Sequence, residues 1–145
     1  MKQTVENGGR IQRLLIFRLG SIGDTVVALP VFKLIARAFA GAERRVLTNF
    51  PINSDAAPLQ SMLGEGGLVD GYFAYTVATR SLVEILALRR QIAGWDPELA
   101  IYLNAPRGHA ATVRDLLFLK LCGVRRVIGL PLRPDSSLAT PTAIP

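Results

Sequence analysis

The segment Leu14 to Pro30, LLIFRLGSIGDTVVALP, constrains the fold of this chain more than any other. A continuous apolar run, Leu14-Leu15-Ile16-Phe17, has the character of a central strand buried on both faces. A small loop follows, Gly20-Ser21-Ile22-Gly23, then Asp24, then a second apolar run of helical character. Strand, tight loop and helix in immediate succession is the opening of an α/β unit. The loop lies where such units gather their ligands, beyond the carboxyl end of the strand.

The rest of the chain repeats that alternation. Arg13 to Leu19 reads as the first strand and Asp24 to Ala40 as a helix ended by Gly41. Only Lys33 and Arg37 interrupt the helix, four apart on one face, so its other sides are expected to be deeply buried. Pro30 should kink it or mark a late start. Arg45 to Thr48 is a second strand. Pro51 to Pro58 is a loop leading to a short helix near Leu59 to Leu63, broken by Gly64, Gly66 and Gly67. Leu68 to Tyr75 is a third strand. Ser81 and Glu84 have the spacing of a capping box, opening a helix through Ile85, Leu86, Leu88 and Ile92 that Gly94 stops. Glu98 to Leu103 is a fourth strand, and Asn104 to Ala110 a loop. Val113, Leu116, Leu117 and Leu121 recur at helical spacing before a capping Gly123. Arg126 to Leu130 is a fifth strand.

Strands alternating with helices call for an open, Rossmann-like parallel sheet of about five strands with helices on both faces. The expected organisation is a flexible lead-in over 1–10, one folded domain over 11–131, and a Pro-, Ser- and Thr-rich linker or tail over 132–145. The length of 145 residues and the 50% apolar content suit one domain with a sizeable core. No apolar run reaches the roughly 18 residues that span a bilayer. The polar start, MKQTVENGGR, lacks a signal-peptide core, so a cytoplasmic protein is expected. The single cysteine, Cys122, lies among leucines and valine and reads as a buried, inert thiol. The net charge of +6 favours anionic partners, phosphorylated or acidic, while the pairs Arg44–Arg45, Arg89–Arg90 and Arg125–Arg126 are equally compatible with solvated faces. Nucleic acid is not expected, because no basic stripe with interleaved aromatics is present.

The polar residues of the strand-end loops are the candidate site. The first loop fits neither the dinucleotide fingerprint nor the P-loop, since its two glycines, Gly20 and Gly23, are separated by two residues and no Gly-Lys-Ser/Thr follows. Asp24, at the expected helix N-terminus, reads as an N-cap or as a proton acceptor. Spacing alone favours the cap, and the two roles are compatible. His109, the only histidine, reads as a bystander.

Arg13-LLIFRLGSIGDTVVALPVFKLIARAF resembles the opening of the ADP-heptose:lipopolysaccharide heptosyltransferases, glycosyltransferase family nine. Arg18, Ser21, Gly23, Asp24, Leu29 and Pro30 carry the likeness. Trp95-Asp96-Pro97-Glu98-Leu99-Ala100-Ile101-Tyr102-Leu103 and Gly123-Val-Arg-Arg-Val-Ile-Gly129 are similar to its approach to the fourth strand and to its fifth strand. The resemblance spans roughly Arg10 to Leu130. It implies the acceptor-binding half of a two-domain GT-B enzyme that inverts the anomeric carbon without metal or cofactor. Asp24 would be the general base, and Ser21, Gly23, Arg80, Asn104 and Arg107 would hold an anionic sugar of the lipopolysaccharide core. The family commonly has an aspartate–leucine–glutamine run where Tyr102 and Asn104 stand. The ADP-sugar donor would need a second domain, expected beyond residue 145, and this half alone would be inactive. A lipid-linked acceptor further implies peripheral association with the inner face of the inner membrane. Two other readings remain open: a stand-alone Rossmann-like module that binds a phosphorylated small molecule or nucleotide without catalysis, and a receiver- or flavodoxin-like domain. The receiver variant is weakened because no acidic cluster ends the first strand and no lysine ends the fifth.

Overall fold

A computed structural model describes residues 10–19, 22–48, 66–74, 81–104 and 108–130. Five strands form one all-parallel sheet: β1 (Arg13–Phe17), β2 (Glu43–Thr48), β3 (Gly71–Ala74), β4 (Leu99–Tyr102) and β5 (Arg126–Ile128). Their spatial order is β3-β2-β1-β4-β5. Three helices are described: α1 (Ile22–Ala38), α2 (Leu82–Trp95) and α3 (His109–Leu121). The chain leaves β1 toward β2 on one side, and β4 lies on the other side of β1. The strand order therefore reverses at β1/β4, with Leu14 opposite Leu99 and Phe17 opposite Tyr102.

Alternation along β1 builds two cores. Leu14 and Ile16 face one layer with Val46, Leu99 and Ile101, against Phe32 and Ile35 of α1. Leu15, Phe17 and Leu19 face the other with Leu47, Phe73, Ala100 and Tyr102, against Leu88 and Ile92 of α2 and Leu119 of α3. Helices thus cover both faces, as period-two alternation of a doubly apolar strand demands.

Several details differ from the sequence expectation. β1 ends at Phe17, with Arg18 and Leu19 leading out of it, and the third strand is shortened to Gly71–Ala74. The helix α1 starts at Ile22 and runs through Pro30, which excludes a late start. It is not buried all round: Phe32 and Ile35 face the sheet, while Val27 is 81% and Leu34 64% exposed. Ser81 precedes α2 but its side chain makes no capping bond, so the capping box is absent. Gly94 does not stop α2; Asp96 does, in a left-handed conformation (φ 55°), its N–H reaching the carbonyls of Ile92 and Ala93. In α3 the buried stripe is Thr112, Asp115 and Leu119, while Val113, Leu117 and Leu121 face outward. Gly123 does end α3 as expected, with φ 85° and its N–H on the Lys120 carbonyl.

The paired arginines are not simply solvated. Arg44 is buried, and its guanidinium donates to the carbonyls of Phe39, Ala42, Gly67 and Leu68. Arg45 lies over the Trp95 ring, 4.8 Å from its centroid, and pairs with Glu43 at 2.6 Å. The short helix near 59–63, the lead-in over 1–9 and the tail over 132–145 lie outside the described residues. No helix among the described residues is long and apolar enough to cross a membrane.

Candidate functional site

Open parallel sheets bind ligands at the carboxyl edge where the strand order reverses. Here that point lies between β1 and β4, and the chain is tightly tied around it. The N–H of Arg18 donates to the Leu47 carbonyl at 3.0 Å, fastening the end of β1 to β2. The N–H of Leu103 donates to the Phe17 carbonyl at 3.0 Å, fastening β4 to β1. Two side chains add a second layer. Arg18 Nη1 donates to the Leu103 carbonyl at 2.7 Å. The N–H of Leu19 donates to Asn104 Oδ1, which fixes the amide so that Nδ2 is turned away from Leu19.

Buried polar groups in folded proteins nearly always find partners. Among the described residues, four buried side-chain polar atoms have none, and three of them lie at this edge: Arg18 Nε, Thr48 Oγ1 and Asn104 Nδ2. Arg18 is 9% exposed and Thr48 4% exposed. Strand alternation puts both on the α1 side of the sheet, since Ile16 and Val46 belong to that core. No carboxylate among the described residues pairs with Arg18. The amino edge is different: Arg13 meets Asp96 at 3.3 Å and Glu98 at 3.8 Å, and the Gln12 N–H donates to Glu98 Oε2.

The helix α1 begins four residues beyond Arg18. Gly23 and Asp24 are its second and third residues, so Asp24 stands within the first turn and not before it as an N-cap. The reason is that α1 takes in part of the small loop as helix. A carboxylate in a first turn is favoured by the helix dipole, so the backbone position still suits an anionic side chain. Ser21, Arg80 and Arg107 lie outside the described residues. Of the sequence-stated candidates, Gly23, Asp24 and Asn104 therefore stand at one edge of the sheet.

Tyr102 does not join this group of polar residues. Its ring tilts against Phe17 at 5.5 Å in the opposite layer, and its hydroxyl donates to buried Asp115 at 2.8 Å. His109 is an exposed first residue of α3. Cys122 is fully buried, and burial pushes its thiol up to about 11 against the opposing influence of Arg89, which leaves it protonated and inert. Among the described residues no group of histidine, cysteine and acidic side chains has the makings of a metal site.

Thr48 escaped sequence reasoning, because a threonine at the end of a strand looks like any other strand residue. Arg18 was visible only as the basic member of the opening motif. Its lack of a counter-charge is a property of the assembled sheet. Comparison with protein-family models, with curated proteins and with solved structures finds no match for this chain.

Proposed function

We propose that this chain is the acceptor-binding half of an inverting, metal-independent glycosyltransferase of GT-B type, moving a heptose or related sugar from an ADP-sugar to an anionic lipopolysaccharide-core acceptor. The observation that carries the reading is the place of Asp24: first turn of α1, at the carboxyl end of β1, beside the point where strand order reverses. A carboxylate there can accept the proton of an acceptor hydroxyl as the hydroxyl oxygen attacks the anomeric carbon and the nucleoside diphosphate leaves. Ser21, Gly23, Arg80, Asn104 and Arg107 would surround the acceptor, the two loop arginines matching its negative charge. In-line transfer requires the donor to be held within a few ångströms of that hydroxyl, so activity depends on a donor domain. The acceptor's lipid would bring the protein to the inner face of the inner membrane as a peripheral partner.

The test supplies the chain with a matching donor domain and measures transfer from ADP-heptose to a Kdo-bearing lipid acceptor. Asp24→Asn should lower kcat by about 10²–10⁴-fold, the usual contribution of a general base, with acceptor binding retained. Equal turnover by the Asn variant would remove the base assignment. A second reading, a non-catalytic module for a phosphorylated small molecule or nucleotide, draws support from the buried Arg18 guanidinium, which needs no donor domain to be useful. Saturable binding of such a ligand, with no transfer under any donor arrangement, would favour it.

A further inference from the structure

We infer that the outer face of α2 and α3 is a docking surface for an anionic lipid bilayer, with the two helices lying along the leaflet. The starting observation is that α3 is inverted. It turns polar Thr112 and Asp115 toward the sheet, and apolar Val113, Leu117 and Leu121 away from it. Those three recur at every fourth residue, so they form one stripe down the helix. Leu117 is 59% and Leu121 62% exposed. The helix α2 repeats the pattern. Leu88 and Ile92 are buried against the sheet, while Leu86 is exposed and Leu82 and Val83 are 73% and 76% exposed.

The two stripes belong to one surface. Leu88 and Ile92 of α2 and Leu119 of α3 pack into the same core, on the same side of the sheet. Arg89 of α2 donates from Nε to the Leu121 carbonyl at 2.8 Å, tying the helices to each other. Single exposed apolar residues are ordinary, but an apolar face rimmed by polar groups marks a binding surface.

Charge selects the occupant. Arg90 follows Leu86 by four residues, and Arg114 and Lys120 lie three residues to either side of Leu117, so exposed cations flank both stripes. Among the residues of the two helices, all described, Glu84 is the only exposed acid, since Asp115 is buried and bonded to Tyr102. A second copy seated on this face would set these cations against their own kind. A leaflet with anionic headgroups meets both demands. Its acyl boundary takes the leucines and valines, and the long cationic side chains reach the headgroups.

Docking by these helices needs neither an acceptor nor the carboxylate of Asp24. It therefore stands or falls separately from sugar transfer, and the test contains no sugar.

The experiment is co-sedimentation of the 145-residue chain with vesicles of phosphatidylcholine, and with vesicles of phosphatidylcholine mixed with phosphatidylglycerol. The chain should sediment with the mixed vesicles only, and salt should weaken the binding. Leu117→Gln should weaken it about tenfold, the worth of burying one leucine side chain. Its Tm should match the parent's, because that side chain faces outward. Arg114→Gln should weaken binding about fivefold, the worth of one cation near an anionic surface. Leu34→Gln alters an exposed leucine of α1, on the opposite side of the sheet, and should bind as the parent does. Binding to neither vesicle, equal binding to both, or a loss in Leu34→Gln as large as in Leu117→Gln overturns the inference. So does a concentration-dependent dimer, abolished by Leu117→Gln, that leaves the vesicles unbound, since a second copy would then occupy the face.

Discussion

Two buried arginines, Arg18 and Arg44, alike in chemistry but not in circumstance, show what decides a residue's role here. Arg44 spends its donors on carbonyls from the α1–β2 turn and the approach to β3. Arg44→Ala should lower stability by about 3 kcal/mol, because charged hydrogen bonds are lost and carbonyls are left buried. Arg44→Lys should not restore it, since an ammonium cannot reproduce the planar fork. Urea unfolding midpoints check both. Cys122 makes a second prediction at this scale. Its thiol is raised from 9.0 to about 11 in the fold, chiefly by burial. The folded state therefore holds the proton more tightly than the unfolded one. The stabilisation is fully present below pH 9 and is lost as pH rises through about 11. Unfolding free energies measured from pH 8 to 11 should fall more steeply for the parent than for Cys122→Ala. That Cys122 would be buried was legible from its leucine-rich surroundings. That Arg44 would be a buried staple was not, because the arginine pair looks the same whether its partners are waters or carbonyls, two of them from Gly67 and Leu68 far along the chain.

At the scale of elements, existence and order were legible and orientation was not. Period and punctuation located all five strands and the three described helices. The error in α3 is instructive. Val113, Leu117 and Leu121 have the better apolar spacing, yet Thr112, Asp115 and Leu119 face the sheet. Tyr102 decides this by donating to Asp115, a bond between β4 and α3 that no local pattern encodes. Likewise α1 is apolar on both sides, so its hydrophobic pattern could not say which side meets the sheet. Two glycines give opposite predictions. A Cβ at Gly94 in α2 would meet nothing within 4 Å, so Gly94→Ala should stabilise by about 0.5–1 kcal/mol through helix propensity. Gly129, at φ +83°, would bring a Cβ to 2.7 Å from the Tyr102 carbonyl oxygen, so Gly129→Ala should destabilise. Thermal unfolding of the two variants should move in opposite directions, and a Gly129→Ala chain as stable as the parent would contradict the close approach.

For the whole molecule, the strand order β3-β2-β1-β4-β5 converts a linear alternation into a place. Sequence alone could list the strand-end loops but not tell which would be neighbours. The sheet brings the ends of β1, β2 and β4 together, and with them Arg18, Thr48 and Asn104, while α1 contributes Gly23 and Asp24 at the same edge. The opposite edge has its charges paired around Arg13. Unpartnered buried polar atoms at one edge and closed ion pairs at the other make the two ends of the sheet chemically unlike. The most direct measurement is a backbone ¹⁵N–¹H titration of the chain with a Kdo-bearing acceptor sugar. The shifts should concentrate at Arg18, Leu19, Gly23, Asp24, Thr48, Leu103 and Asn104. Shifts centred instead on Gln12, Arg13, Asp96 and Glu98, at the amino edge, would contradict the account.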